Sequence, residues 1–281
     1  MAFLEVESGQ NIYYEHYRGS GPPVVLVHGW GMSVRCWDLT LPALLNAGHE
    51  VVALDHRGCG HSDKDFADVS TASIASDVVK LIKSTGLDHP VVVAWSFGCA
   101  VSAEAAGQLG DAVRGLVLVG PPTPRYTQAD GYPHGGTAEI MEQTLTALRD
   151  TRPEFLKGLA QGVCHADVGE NTIEWMWQSF METSPRADDA LRDLGVVDQR
   201  ELLPTIQAPV LICSGVHDAV VDPAIATVCA DLLPNARLVI FEGSGHAPFL
   251  EERELFNREL LAFVDDPAGS VATSQSVASS A

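Results

Sequence analysis

The chain has 281 residues, of which 46% are hydrophobic, and its 17 basic and 37 acidic side chains give a net charge of −20. A chain of this length can bury roughly three quarters of its unfolded surface in one domain. The acidic excess disfavours nucleic acid and anionic membranes as partners, because both carry the same sign of charge. We expect a soluble cytoplasmic protein, since the first residues show no basic leader and no stretch reaches the ~18 apolar residues of a membrane span.

Hydrophobic patterning predicts an α/β fold. Alternation predicts two edge strands at residues 3–7 and 12–17. Short aliphatic runs predict six further strands, at residues 24–27, 51–54, 91–94, 116–119, 210–213 and 238–241. Because helical stretches separate most of these strands, we expect right-handed crossovers and a doubly wound, mostly parallel sheet.

The alternation of strands and helices stops between residues 121 and 200, where the sequence has helical spacing and no strand-like run. We interpret this segment as an inserted helical cap that covers a site, excludes water and shapes a pocket. The predicted core then comprises residues 1–120 and 201–266. The Ser-, Ala- and Val-rich tail, residues 267–281, is predicted to be disordered.

Ser96 lies in the pentapeptide Ala94-Trp95-Ser96-Phe97-Gly98, between a predicted strand and a helix-compatible stretch. A small-x-Ser-x-Gly sequence in this context is typical of a nucleophile at a sharp strand-to-helix turn. Such a turn holds its central residue at positive φ and needs small neighbours, which Gly98 supplies fully and Ala94 less well. The alternative role for Ser96 is that of a helix N-cap.

A base and an acid follow in the order Ser, Asp, His. Asp218 comes after the strand at 210–213, and His246 lies in a glycine-rich loop after the strand at 238–241. A serine hydroxyl needs a base to accept its proton, and the base needs a third group to orient it. We therefore predict Ser96, Asp218 and His246 as a catalytic triad, with His217 as the alternative base and Asp222 as the alternative acid.

The segment His28-Gly29-Trp30-Gly31 follows the strand at 24–27. We expect the backbone amides of Trp30 and Phe97 to stabilise an oxyanion. The insert's aromatic side chains either face the pocket or pack on the core. The residues expected to line the substrate pocket are Gly29, Gly31, Trp95, Trp175, Trp177 and Phe249.

Taken together, these motifs and the segment at residues 55–63 resemble the α/β-hydrolase fold superfamily over residues 1 to 265. The chain is similar to carboxylesterases, to cofactor-free haloperoxidases or perhydrolases, and to the pimeloyl-carrier-protein methyl ester esterase. This resemblance implies a serine hydrolase that cleaves a small-molecule carboxylic ester or lactone through an acyl-enzyme, without a cofactor.

Three residues distinguish this sequence from particular groups of the superfamily. Haloalkane dehalogenases and epoxide hydrolases of this fold use an aspartate nucleophile, so Ser96 argues against both. Perhydrolases typically have proline at the position of Gly31, which argues against perhydrolysis. Cys99 replaces a second glycine found in many relatives, which suggests a wider spacing between the helix after Ser96 and its neighbour.

Two other functions remain open. A carbon–carbon bond hydrolase or lyase uses the same triad, and it would turn over a β-diketone faster than a matched ester. A non-catalytic ligand-binding homologue would retain the triad with negligible turnover. The sequence specifies neither the substrate nor the oligomeric state.

The cysteines give no sign of a disulfide framework or a metal site. None pairs as C-x-x-C, and most fall in predicted strands or helices. Wide spacing of this kind is typical of free thiols in a reducing compartment. We expect no metal ion, and free thiols at Cys36, Cys59, Cys99, Cys164, Cys213 and Cys229.

Overall fold

A computed structural model describes residues 2–278 and contains one eight-stranded sheet. The strands are β1 (Ala2–Glu7), β2 (Gln10–Tyr17), β3 (Gly21–Val27), β4 (His49–Leu54), β5 (Val91–Trp95), β6 (Gly115–Val119), β7 (Val210–Gly215) and β8 (Ala236–Phe241). Their order across the sheet is β1-β2-β4-β3-β5-β6-β7-β8. β2 pairs antiparallel with β1 and β4, and the other pairs are parallel. The predicted α/β class and all eight predicted strands are confirmed.

The central strands carry apolar runs because both of their faces are covered. β5, β6 and β7 are buried along their whole length. Parallel sheets covered by helices on both faces have this pattern, whereas β1 alternates half-buried with exposed residues at the sheet edge. The carboxyl ends of the central strands therefore open onto one edge of a rigid core, where ligands gather in sheets of this kind.

Helices flank the sheet, and the alternation of strands and helices along the chain is interrupted once, between β6 and β7. Those that follow the predicted alternation are α1 (Leu41–Asn46), α2 (Thr71–Thr85), α3 (Phe97–Leu109), α8 (Pro223–Leu232), α9 (Pro248–Glu251) and α10 (Arg253–Asp265). Between β6 and β7 lie α4 (Ala138–Asp150), α5 (Arg152–Gly162), α6 (Glu170–Met181) and α7 (Asp188–Leu194). We call residues 121–200 the helical insert. None of the described helices is long and apolar enough to cross a membrane.

Hydrogen bonds fix the helical insert to the loop after β3. Thr183 Oγ1 donates to the Gly31 carbonyl oxygen at 2.8 Å, and Trp30 Nε1 donates to the Ala187 carbonyl oxygen at 2.9 Å. The Trp30 ring also stacks on Phe180, with 6.2 Å between centroids. The insert therefore has a defined position above the carboxyl ends of β3 and β5.

The end of the chain differs from its prediction. A helix, α11 (Pro267–Ala278), replaces the predicted disorder, and residues 279–281 lie outside the described residues. α11 packs against α10, β7 and β8, and Val271 is buried in the core. The composition of the tail does not reveal this contact, because it does not show that Pro267 and Val271 are buried.

All six cysteines are free, as predicted, and five of them are buried. The thiol of Cys99 is buried and in contact with the backbone: its Sγ lies 3.3 Å from the Ala94 carbonyl oxygen and 3.4 Å from the Val119 carbonyl oxygen. Burial raises the pKa of Cys99 well above its ordinary value. Its thiol therefore stays protonated and inert as packing for α3.

Candidate active site

Ser96 occupies a strained turn between β5 and α3. Its backbone has φ 53° and ψ −127°, and its N–H donates to the Val119 carbonyl oxygen at 2.8 Å. A Cβ on Gly98 would lie 2.5 Å from the His28 carbonyl oxygen, so no larger residue fits there. Non-glycine residues at positive φ are uncommon, and such strain clusters at functional sites. The turn predicted from the pentapeptide is therefore present in this structure.

Asp218 and His246 form a buried pair at the ends of β7 and β8. His246 Nδ1 lies 2.7 Å from Asp218 Oδ2, and the two side chains are 2% and 1% exposed. Asp218 Oδ1 accepts hydrogen bonds from the Val220 and Val221 amides at 2.8 and 2.9 Å. Because Nδ1 donates to a carboxylate, the neutral imidazole presents Nε2 as a proton acceptor.

The His246 ring is oriented by its surroundings. Its Nε2 is buried and has no hydrogen-bond partner among the described residues. Trp95 Nε1 donates to the His246 carbonyl oxygen at 2.9 Å, and the His246 amide donates to the Val163 carbonyl oxygen at 2.8 Å. A Cβ on Gly120 would lie 2.8 Å from His246 Nδ1, so this position must be glycine. The core and the insert together hold the His246 ring with one nitrogen free of protein partners among the described residues.

Glu251 is a further residue that holds the histidine loop, and sequence analysis did not identify it. Its carboxylate accepts amide hydrogen bonds from Gly245 at 2.9 Å, Ala247 at 3.2 Å, His165 at 2.6 Å and Ala166 at 2.8 Å. Gly245 and Ala247 flank His246, while the other two belong to the helical insert. The sequence signal for this role is weak: Glu251 is an acidic residue that follows His246 by five positions.

The expected oxyanion donors lie beside Ser96. Phe97 is the first residue of α3, so its N–H has no acceptor within the helix and lies at the positive end of the helix dipole. Trp30 follows β3, and both residues line the same cavity as Ser96. The convergence of these two amides on one oxygen remains a prediction.

His28 braces the backbone beneath this loop. Its Nε2 accepts the His56 amide at 2.9 Å, and its Nδ1 donates to the Gly29 carbonyl oxygen at 2.7 Å. The bond that Nε2 accepts requires a neutral ring, and burial lowers the pKa of His28 in the same direction. The His56 ring stacks on His28 with 3.9 Å between centroids, and burial lowers its pKa even further.

A cavity of about 570 Å³ lies between the carboxyl ends of the strands and the helical insert. Ser96, Asp218 and His246 all line it, so the structure brings the predicted triad to one cavity. Of the residues predicted for the pocket, Gly29 and Trp95 also line it. The insert contributes apolar side chains, among them Met141, Phe155, Leu159, Phe180 and Leu191.

The other four residues predicted for the pocket are not among the described residues that line this cavity: Gly31, Trp175, Trp177 and Phe249. Phe249 is fully buried, with ring centroids 5.1 Å from Trp95 and 5.0 Å from Trp37. Gly31, at φ 73°, lies behind Phe180, since a Cβ there would be 2.8 Å from Phe180 Cδ1.

The two tryptophans of α6 are the remaining corrections. Lys157 Nζ lies over the Trp177 ring, 4.4 Å from its centroid, and Trp177 Nε1 donates to the Pro153 carbonyl oxygen at 3.1 Å. Trp175 is half-buried and packs against the core. Helical spacing alone does not show which face of α6 meets the cavity, and the face that does presents Phe180.

The alternative base and acid have other contacts. His217 is exposed and stacks on His165 with 3.8 Å between centroids. Asp222 is the N-cap of α8, since its Oδ1 accepts the Ala224 amide at 3.0 Å, and its Oδ2 accepts the Gly135 amide at 3.1 Å. Neither therefore takes the position of His246 or Asp218. Among the described residues, no group of three His, Cys, Asp or Glu is placed to hold a metal ion.

Known proteins share this architecture along most of the chain. Residues 22–253 match the family described as alpha/beta hydrolase fold. The non-heme chloroperoxidase CPO-A1 of Kitasatospora aureofaciens is 30% identical over 94% of this chain and 100% of its own length. The pimeloyl-[acyl-carrier protein] methyl ester esterase of Vibrio atlanticus (strain LGP32) is 30% identical over 89% of this chain and 97% of its own.

A solved structure extends the likeness to three dimensions. The esterase EaEST from Exiguobacterium antarcticum is 30% identical and covers 94% of this chain and 99% of its own, with a TM-score of 0.91. The chain therefore belongs to the α/β-hydrolase fold family, whose members similar to it include esterases.

Proposed function

We propose that the protein is a serine hydrolase that cleaves a carboxylic ester or lactone through an acyl-enzyme. The observation that carries this proposal is the pair of His246 and Asp218, whose Nδ1 and Oδ2 lie 2.7 Å apart, with Nε2 buried and unpartnered in the cavity that Ser96 lines. A buried carboxylate, an oriented imidazole and a strained serine are the parts that nucleophilic acyl transfer needs.

The chemistry proceeds in two halves. Ser96 Oγ attacks the ester carbonyl carbon while its proton passes to His246 Nε2, and the carbonyl electrons form an oxyanion stabilised by the Trp30 and Phe97 amides. The tetrahedral intermediate breaks its bond to the alcohol oxygen, which takes the proton from Nε2. Water then attacks the acyl-enzyme, gives its proton to Nε2 and releases the acid as Ser96 regains its hydrogen. Asp218 stabilises the imidazolium in each half.

Perhydrolysis is the activity suggested by a relative named bifunctional esterase/perhydrolase DCH, from Acinetobacter calcoaceticus, which is 28% identical over 94% of this chain. Perhydrolases typically carry proline at the position of Gly31. Here φ is 73° at this residue, whereas proline holds φ near −65°, so the loop has a different course. Because Gly31 departs from the proline of perhydrolases in both residue type and backbone conformation, we propose water as the second nucleophile.

The direct test compares Ser96→Ala with Ser102→Ala. Both serines belong to the same turn-and-helix unit, but Ser102 is buried in α3 and does not line the cavity. We expect Ser96→Ala to lower kcat for p-nitrophenyl butyrate by roughly 10⁴- to 10⁶-fold, while Ser102→Ala retains wild-type kcat.

Three results would contradict the proposal. Retention of most activity by Ser96→Ala would remove the serine from the chemistry. Faster turnover of a β-diketone than of a matched ester would favour the carbon–carbon hydrolase. A wild-type protein that shows no burst and no turnover on any ester would be a binding homologue.

A further inference from the structure

One face of α5 runs along the cavity. Phe155, Gly158, Leu159 and Gly162 all line it, with the spacing i, i+3, i+4, i+7 that places residues on one side of a helix. On the other side of α5, Leu156 and Ala160 are fully buried in the core. α5 therefore presents two glycines, one turn apart, to the space above the triad.

Neither glycine is required by backbone conformation or by packing. Both have φ outside the left-handed region, and a Cβ added to either would meet no atom within 4 Å. A glycine inside a helix costs about 1 kcal/mol relative to alanine, so Gly158 weakens α5 with no return in packing. Both glycines are exposed and line the cavity, so they lie at its open rim, and a larger side chain there would narrow the opening.

The polarity of the wall limits what can fill that space. Among the described residues that line the cavity, none is Lys or Arg. Its two carboxylates belong to Asp218 and Asp222, so an anionic substituent would find no counter-charge and two like charges. The buried His246 Nε2 has no protein partner and marks where the polar centre of a ligand must lie.

We infer, on the basis of the hydrolase function proposed above, that the substrate is an uncharged ester or lactone whose bulky apolar group lies along α5 beside Gly158 and Gly162. Met141 of α4 and Leu191 of α7 add further apolar side chains to the same cavity. An ester with a carboxylate or phosphate on the same group is excluded by charge.

The test uses two substrate series and one matched control. The acyl series is p-nitrophenyl acetate, p-nitrophenyl hexanoate and mono-p-nitrophenyl adipate, and the alcohol series is ethyl, cyclohexyl and 4-carboxycyclohexyl acetate. The variants are Gly158→Ala, Gly158→Val and Gln161→Val, where Gln161 is an exposed residue of α5 that does not line the cavity. Gln161→Val therefore controls for β-branching in this helix.

We expect the neutral bulky ester to exceed its anionic analogue in kcat/KM by about 100-fold in wild type. In one of the two series, Gly158→Val lowers the ratio of the bulky to the small ester by about tenfold or more, and Gln161→Val leaves it unchanged. Gly158→Ala lowers the ratio less and raises the melting temperature, so the loss does not come from unfolding.

Binding to Ser96→Ala separates this inference from the proposed function. If wild type turns over no ester but Ser96→Ala binds cyclohexyl acetate more tightly than its carboxylated analogue by calorimetry, and Gly158→Val weakens that binding, the inference stands and the hydrolase function fails. If esters are hydrolysed but neither series responds to Gly158→Val, or anionic esters react as fast as neutral ones, the inference is overturned.

Discussion

The sheet and the helical insert face each other across the cavity, and they position their side chains by different means. Ser96, Asp218 and His246 each follow a strand of the sheet, so the register of β5, β7 and β8 fixes where they stand. The insert has no such frame, and it is held by hydrogen bonds to loops of the core and by apolar side chains buried against the core. The predicted triad is thus positioned by strands of the sheet, whereas the upper wall of the cavity is positioned by the packing of the insert on the core.

The largest expected effect comes from the carboxylate on the sheet side. Asp218→Asn keeps the shape of the side chain but removes the charge that stabilises the imidazolium and selects its tautomer. We expect kcat for a neutral ester to fall roughly 10⁴-fold, measured under saturating substrate.

Asp222→Asn is the comparison for that variant, because Asp222 lies four residues further on and caps α8. Asparagine caps a helix about as well as aspartate, so the variant should lose only the hydrogen bond from the Gly135 amide, at a cost of about 1 kcal/mol, and lower kcat less than tenfold. An Asp218→Asn enzyme with kcat near wild type, or equal losses in the two variants, would contradict the assignment of the acid.

Glu251 joins the two regions, so its replacement tests how strongly they are coupled. Glu251→Gln replaces one carboxylate oxygen with an amide NH2 group. This group cannot accept a hydrogen bond from the backbone N–H donors of the histidine loop or the insert. The His246 ring then loses its fixed orientation. We expect kcat to fall about 10- to 100-fold with KM nearly unchanged, since small displacements of a catalytic group have costs of this size.

Glu254→Gln is the matched control, because Glu254 is exposed in the first turn of α10. It should match wild type in both constants. A rise in KM alone in Glu251→Gln would show that the carboxylate supports the substrate wall and not the base.

The sequence predicted the sheet side well because the strand, turn and loop motifs on that side are local. Parallel strands bring their carboxyl ends together, so the sequence alone assigns Ser96 and His246 to one site. The insert was predicted as helical from spacing alone.

Its contribution to the cavity was not predictable in the same way. Trp175 and Trp177 were expected at the pocket because they are aromatic, but the orientation of α6 turns Phe180 toward the cavity instead. The face of α5 was missed because two of its four cavity positions are glycine, which carries no hydrophobic signal. Which side of a helix meets a cavity depends on tertiary packing that a single sequence does not display.

A third prediction concerns the contact between Gly31 and the insert. Gly31→Ala places a non-glycine residue at φ 73° and a methyl group 2.8 Å from Phe180 Cδ1, whereas Gly48→Ala imposes a similar φ, 87°, with open space around the methyl. The backbone cost is about 1–2 kcal/mol in both variants, and crowding adds about 1–3 kcal/mol in the first.

Urea unfolding of the two variants measures this difference. A larger loss for Gly31→Ala would show that the insert packs tightly on the loop after β3. Equal losses would mean that Phe180 moves aside at no cost, and the insert would then be more mobile than its contacts imply.

The smallest expected effect lies beneath the sheet-side loops, in the stacked pair of His28 and His56. Burial lowers both pKa values, so the unfolded chain, with histidine pKa near 6.5, binds more protons than the native state as pH falls. Stability is therefore full above about pH 7 and is lost below it. From pH 7.5 to pH 6, two neutral native histidines lower the unfolding free energy by about 1.5 kcal/mol.

Urea unfolding at several pH values within this window tests the pair, because carboxylates ordinarily titrate below it. His56→Phe removes one of the two titrating rings but keeps the backbone amide that donates to His28 Nε2. The pH dependence should fall by about half in this variant, since each ring contributes one proton. An unchanged slope would mean that His56 is protonated in the native state, where its Nε2 has no partner, and that the brace under the oxyanion loop carries a charge.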